Sequence, residues 1–146
     1  MMIEHANPTN LDDVTRLALK LWPDHEWLEL RSEFEDLLAS EKDRVYLAAK
    51  DGNYIGFLHM SLRFDYVEGT SSSPVGYVEG IYVDENHRNQ GISRQLVEAG
   101  EVWAKSMGCK ELGSDKGWDN QVSQAFHLKI GFREAGRIVA FMKEIS

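Results

Sequence analysis

The sequence predicts an α+β domain built on a mixed sheet, and three observations carry that reading. Apolar residues switch between a period of two and helical spacing along the chain, so short strands and helices follow one another. Asp51-Gly52-Asn53 sits between two strand-like runs and signals a hairpin. Val78-Glu79-Gly80-Ile81-Tyr82-Val83 runs as a strand toward Arg88-Asn89-Gln90-Gly91-Ile92-Ser93, a basic, Gly-containing turn that opens an amphipathic helix.

In order, Met2 to Ala6 forms a short first strand. Pro8-Thr9-Asn10 turns the chain, with Asn10 as N-cap, and Leu11, Val14, Leu17, Ala18 and Leu21 repeat at helical spacing. Trp22-Pro23-Asp24-His25 ends that helix, because proline disfavours helix in the residue before it. Trp27, Leu30, Phe34, Leu37 and Leu38 stripe a second helix. Val45 to Ala49 and Tyr54 to Leu62 are hairpin strands. A polar loop from Arg63 to Pro74 leads into the central strand, Val75 to Val83. Ile92, Leu96, Val97, Trp103, Ala104 and Met107 mark a long helix stopped by Gly108. Glu111 to Ser114 is a short strand, and Asn120 to Ile130 a helix ended by Gly131. Phe132 to Glu134 and Arg137 to Ile145 are the last strands. No repeat or linker breaks the chain, so residues 1–146 read as one domain.

Composition narrows the function. Hydrophobic content of 42% and charged content of 27% suit a folded protein. There is no long apolar run for a membrane span, no signal peptide is visible, and the single cysteine, Cys109, has no internal partner. These point to the cytoplasm. One cysteine and scattered histidines give no zinc spacing, so no metal is expected. A net charge of −8 weighs against nucleic acid and suits a cationic ligand.

The turn at Arg88 offers the chemistry of a phosphate site. Backbone N–H groups and the positive end of the helix dipole face an anion, and Gly91 removes the Cβ that keeps a ligand away. The spacing is Arg-x-x-Gly-x-small. It is neither a Walker loop nor the dinucleotide fingerprint, and it also fits an ordinary basic helix start.

That turn, placed after the fourth strand, resembles the GCN5-related N-acetyltransferase superfamily. So does Asn120-x-x-Ser123-x-x-Phe126-His127-x-x-x-Gly131-Phe132 downstream. Segments outside the cofactor motif resemble the aminoglycoside 6'-N-acetyltransferases: Leu21-Trp22-Pro23-x-His25, Arg63-x-Asp65-Tyr66-Val67-x-Gly69, Ser72-Ser73-Pro74-Val75, Glu79-Gly80-Ile81 and Gly113-Ser114-Asp115. The resemblance implies a mostly antiparallel central sheet whose fourth and fifth strands splay apart, with about four helices. It implies a cytoplasmic homodimer that carries acetyl from acetyl-CoA to the 6'-amine of aminoglycoside antibiotics and so confers resistance.

Carried over residue by residue, the resemblance makes the amides of Asn89, Gln90, Gly91, Ile92 and Ser93, with Arg88 and Arg94, the grip on the CoA pyrophosphate. Asn120 belongs to the second cofactor motif. Ser93 stands where Gly or Ala is usual. Main-chain groups of Ile81, Tyr82 and Val83 hold the pantetheine arm, and an N–H there polarises the thioester carbonyl. On the amine side, Glu79 interrupts an apolar run, where a carboxylate is costly unless it faces a cleft or a partner. It binds or deprotonates the amine, through water or directly, or else it makes a structural ion pair. Asp115 receives a second ammonium or caps a turn. Trp22 and Tyr66 offer flat faces to sugars and cations, and His25 a hydrogen bond to a hydroxyl. Asp65, Glu68 and Asp119 add negative field. His127 stands where a proton-donating Tyr is common, or it packs. Cys109 lacks a basic activator and is set aside as a nucleophile. An acetyltransferase for a polyamine or a protein N-terminus shares the cofactor residues, and a non-catalytic acyl-CoA-binding module would bind without turnover.

Overall fold

The computed structural model describes residues 1–114, 131–133, 135 and 141–143. The chain divides into two compact units, Met1–Ser114 and Asp115–Ser146. The first unit holds a five-stranded sheet whose strands lie side by side in chain order: β1 (Met2–His5), β2 (Asp43–Lys50), β3 (Asn53–Arg63), β4 (Val75–Val83) and β5 (Leu112–Ser114). The first four pair antiparallel and β4 pairs with β5 in parallel, so the sheet is mixed, as the sequence predicts, and mostly antiparallel, as the resemblance implies. Among the described residues there are three α-helices, α1 (Leu11–Leu21), α2 (Trp27–Ala39) and α3 (Ile92–Ser106). The helix expected over Asn120 to Ile130 lies outside the described residues, as do most residues of the last two expected strands. Phe132 and Arg133 have irregular backbone, and so do Phe141 and Met142, which are 92% and 82% exposed.

Local chemistry explains the elements. The β2–β3 hairpin closes through Asp51 and Gly52, both at positive φ (51° and 80°), with Lys50 opposite Asn53. That backbone matches the right-handed twist of the strands it joins. Along β3, Phe57 and His59 meet Phe34 of α2, with ring centroids 6.0 and 5.9 Å apart. Leu58 and Met60 point the other way, where a Cβ on Gly100 of α3 would lie 2.9 Å from Leu58 and 3.0 Å from Met60. The alternation of a strand thus sandwiches the sheet between α1 and α2 on one face and α3 on the other. On α1, Leu11, Val14, Leu17 and Ala18 are buried, as their spacing requires.

Three details depart from the sequence reading. Asn10 stands at the N-cap of α1, as expected, but its side chain makes no cap hydrogen bond there. A 3-10 turn, Pro8–Asn10, precedes the helix, and Asn7 caps that turn, its side chain accepting from the Thr9 N–H at 2.9 Å. Asn10 instead accepts from the Asn7 N–H at 3.1 Å, which completes a reciprocal capping box. Trp27 and Met107, expected in the core, are 37% and 41% exposed because each sits at a helix end, past the layer it was expected to join.

Candidate active site

The site starts from how β4 pairs. On one side it follows β3 along its whole length. On the other, β5 reaches only Gly76, Tyr77 and Val78. From Glu79 to Val83, that edge of β4 has no strand partner among the described residues. Main-chain groups on such an edge are free to bond an extended ligand, as strands do in β-augmentation. Ile81 and Tyr82 are half-buried and Val83 is buried, so their side chains pack while the backbone edge stays open.

At the end of β4 the chain passes through a 3-10 turn, Glu85–His87, into the basic turn. Asn89 and Gly91 both take left-handed backbone, at φ 62° and 79°. Gly91 is the N-cap residue of α3, and no side chain caps that helix. The first turn of an α-helix leaves its N–H groups without intrahelical partners. Here they fall on Ile92, Ser93 and Arg94, because the first helical bond runs from the Gln95 N–H to Gly91. Among the described residues a Cβ on Gly91 would meet nothing within 4 Å, so this glycine is demanded by its φ. Arg88 is anchored to the end of β4. Its Nε donates to the Val83 carbonyl at 2.9 Å and its guanidinium lies 5.6 Å from the Tyr82 ring centre, so it folds back and clasps the strand end. Gln90 is likewise tethered, accepting from Lys50 Nζ at 3.0 Å. The amides and Arg94, which is exposed, are left to face an anion.

The amine side gathers around a β-bulge. In the β3–β4 ladder His59 faces Gly80 and Met60 faces Val78, so Glu79 is the extra residue. A bulge re-aims side chains and is common beside active sites. Glu79 points to the α1/α2 face. There its Oε1 accepts from Ser61 Oγ at 2.7 Å and from Arg63 Nε and Nη2 at 3.1 and 2.8 Å, and Oε2 accepts from Nη2 at 3.1 Å. The Arg63 guanidinium lies 3.6 Å from the centre of the Tyr77 ring. Next to Glu79, Gly80 makes room for Trp22, since a Cβ on Gly80 would come within 2.5 Å of the indole. Trp22 is half-buried and packs edge-on against Phe57 and beside His25, with ring centroids 6.2 and 6.3 Å apart. Tyr66 stands on the loop after β3, 80% exposed. That loop is fixed to the start of β5 by the Ser71 N–H and Ser72 hydroxyl, both donating to Glu111 Oε1.

The structure therefore brings Trp22, His25 and Glu79 to one patch of β4 and sets Tyr66 apart on its loop. Asp115, Asn120 and His127 lie outside the described residues. Sequence reasoning missed Ser61 and Arg63 as partners of Glu79. Arg63 was visible only as part of a motif, because no spacing rule connects the end of one strand to a bulge on the next.

Comparison with known proteins decides the family. Residues 11–132 match the acetyltransferase (GNAT) family. The chain is a GNAT acetyltransferase. It is 43% identical over 145 residues to the aminoglycoside N(6')-acetyltransferase type 1 of Acinetobacter haemolyticus, covering 99% of each chain. It is 37% identical over 143 residues to the protein of that name in Salmonella typhimurium, covering 98% of this chain and 99% of the other. The apo crystal structure of AAC(6')-IG from A. haemolyticus superimposes with a TM-score of 0.93 over 100% of both chains, at 40% identity. AAC(6')-Iy in complex with the bisubstrate analogue CoA-S-monomethyl-acetylneamine gives 0.94 at 35% identity, over 99% and 98% of the two chains.

For a GNAT acetyltransferase, the open β4 edge and uncapped α3 start fit a CoA ligand: one offers strand-type hydrogen bonds to an amide-bearing arm, the other N–H groups to a diphosphate. Cys109 sits in surroundings unlike those of a reactive thiolate. It is 8% exposed, its N–H donates to the Ala104 carbonyl at 3.0 Å, and burial pushes its thiol above the ordinary range, away from the reactive thiolate.

Proposed function

We propose that this GNAT acetyltransferase is an aminoglycoside 6'-N-acetyltransferase, moving acetyl from acetyl-CoA directly to the 6'-amine in a ternary complex. One observation carries the reading beyond the family. Glu79, the open edge at Ile81–Val83 and the Gly91 turn follow one another along a single strand and its exit. An amine ligand, a thioester site and a phosphate grip are thereby set in series, with about 13 Å of strand between Glu79 and Val83 at the usual rise per residue. The full-length likeness to aminoglycoside N(6')-acetyltransferases supplies the substrate class.

Bound acetyl-CoA supplies an acyl carbon activated as a thioester and a thiolate leaving group. The chain supplies the rest. Amides of Asn89, Gln90, Gly91, Ile92 and Ser93, with Arg94, hold the pyrophosphate, and Arg88 keeps their turn against β4. A main-chain N–H in Ile81–Val83 stabilises the charge that builds on the carbonyl oxygen as nitrogen attacks. Glu79 holds the amine and takes its proton, directly or through water, as the C–N bond forms and the C–S bond breaks. Trp22 and Tyr66 meet the sugar rings and His25 a hydroxyl. Asp115 as a second ammonium ligand, Asn120 as a cofactor residue and His127 as proton donor to the departing sulfur rest on the sequence resemblance. Direct transfer asks chiefly for proximity and oxyanion stabilisation, so a dedicated acid is not essential.

We take residues 1–146 as one acetyltransferase domain, since the family match crosses from the first compact unit into the second. The working form we infer is a cytoplasmic homodimer that confers antibiotic resistance. A free-thiol release assay with kanamycin, spermidine and peptides tests the substrate class. The highest kcat/KM belongs to kanamycin. Highest values on spermidine or peptides would reject the antibiotic reading, and acetyl-CoA binding with no turnover would leave a binding module.

A further inference from the structure

Glu79 is the group that meets the amine, yet it is already bonded. Its Oε1 accepts from Ser61 Oγ, Arg63 Nε and Arg63 Nη2, while among the described residues Oε2 accepts from Arg63 Nη2 alone. A carboxylate oxygen has about two lone-pair directions, so Oε1 is saturated and Oε2 retains one. Arg63 is not a loose surface side chain. Its guanidinium is held 3.6 Å from the centre of the Tyr77 ring, and that ring is 5% exposed. A Cβ on Gly113 of β5 would lie only 3.1 Å from the ring, so Tyr77 is a fixed platform.

A polycation reaching a bare carboxylate is held as ammonium, since an opposite charge nearby favours the charged form. An ammonium has no lone pair and does not attack a thioester. The Arg63 cation beside Glu79 opposes that effect. Other groups around Glu79 among the described residues do not repeat it. Tyr77 lies on its own strand. Just past the end of α1, Trp22 covers neighbouring Gly80 and brings His25 against its ring. From β3, His59 faces Gly80 and is paired with Asp43 at 2.8 Å. Asp65 and Glu68 follow Arg63 in the loop, and both are acidic.

We propose that Arg63 is a positioning residue of the acceptor site: by saturating Oε1 it turns Oε2 of Glu79 to the amine, and its charge lets that amine lose its proton near neutral pH. The proposal rests on the aminoglycoside reading above. It treats the Glu79–Arg63 ion pair as a working part of the site, so Glu79 serves through its partner as well as through itself.

The test compares wild type, Arg63→Met and Arg63→Lys in steady-state kinetics with kanamycin at saturating acetyl-CoA, across a pH series. Circular dichroism and acetyl-CoA affinity check the fold. In Arg63→Met, kcat at neutral pH falls about tenfold and the rising limb of the kcat profile moves up by about one pH unit, the response to losing one opposing charge. KM for kanamycin falls at the same time, because the uncovered carboxylate holds the ammonium more tightly. Arg63→Lys keeps the charge but not the fork. Its pH limb returns to that of wild type while kcat recovers only in part. Three results would overturn the proposal: an Arg63→Met profile superimposable on wild type, a loss of kcat with no movement of the limb, or a limb in Arg63→Lys displaced as far as in Arg63→Met. If Arg63→Met does not fold, Arg63→Gln, which also removes the charge, takes its place in the comparison. Wild type inactive on kanamycin would instead strike the substrate reading itself.

Discussion

Replacing Gly80 with Ala probes how the sheet seats Trp22. An ideal Cβ at Gly80 lies 2.5 Å from Cη2 and 2.8 Å from Cζ2 of the indole, and 3.3 Å from Cδ2 of Leu21. Carbon atoms rest at about 3.5–4.0 Å, so the indole tip must retreat by roughly 1 Å. Phe57 braces the ring on one side and His25 lies on another, at centroid distances of 6.2 and 6.3 Å. The indole is half-buried, which places the cost near the low end for overpacking, about 1–2 kcal/mol. Trp22→Ala alone removes a half-buried ring, and we expect about 2 kcal/mol, below the range for a fully buried aromatic. In the double variant the new methyl enters space the indole has left, so the two losses do not add, and the coupling is about 1 kcal/mol in favour of the pair. Urea melts of the four proteins measure it. In the same set, Gly80→Ala raises KM for kanamycin, because the sugar platform has shifted. Stability losses additive to within about 0.4 kcal/mol, with an unchanged KM in Gly80→Ala, would show that Trp22 is not held by this contact.

Three further perturbations separate the parts of the site. Gly91→Ala meets no steric obstacle, yet its φ of 79° strains any Cβ-bearing residue by about 1–2 kcal/mol. Acetyl-CoA affinity by calorimetry therefore weakens about tenfold, and Gly91→Asn, which tolerates left-handed backbone, weakens it less. Glu79→Gln lowers kcat about 100-fold while the acetyl-CoA Kd stays within about a factor of two, since general-base help is lost and the phosphate turn is untouched; unchanged turnover removes Glu79 from the mechanism. Burial, and secondarily Arg44, hold the His5 imidazole below its ordinary value of 6.5. The unfolded chain then binds the proton first, so this stability is present above about pH 6.5 and drains away as the pH falls toward the lower folded value. Denaturation midpoints with His5→Asn show a shallower acid decline than wild type, and equal slopes would refute the assignment.

Much of the fold was legible because local rules and tertiary structure agree. The Asp51-Gly52 hairpin needs two positive φ values, and aspartate and glycine tolerate them. The β4 limits follow from an apolar run bounded by Pro74 and the polar turn. The helical stripes of α1 and α3 bury the residues their spacing picks out, apart from Leu21, left half-buried beside Trp22, and Met107 at the end of α3. The start of α1 was placed correctly at Asn10, but the bonding of that side chain was not legible, because it goes to the Asn7 N–H of a 3-10 turn that no hydrophobic period reports.

The chemistry around Glu79 was less legible for a different reason. Strict alternation along β4 puts Glu79 and Gly80 on opposite faces of the sheet. In the fold both turn to the α1/α2 face: Glu79 toward Ser61 and Arg63, Gly80 toward Trp22. A single bulged residue does this, and a bulge is a property of the β3–β4 register, not of either strand alone. The sequence therefore exposed the carboxylate as an anomaly in an apolar run but hid its partner. It also offered an active-site base and a structural ion pair as alternatives. Those alternatives merge in the structure, because an ion pair to Arg63 that leaves one lone pair of Oε2 open is itself a way to present a carboxylate to an amine. Where one residue satisfies both descriptions, a loss of turnover on substituting that residue does not separate them. Only changing the partner can, and so Arg63, the residue outside the expected set, is where the mechanism of this acetyltransferase is best questioned.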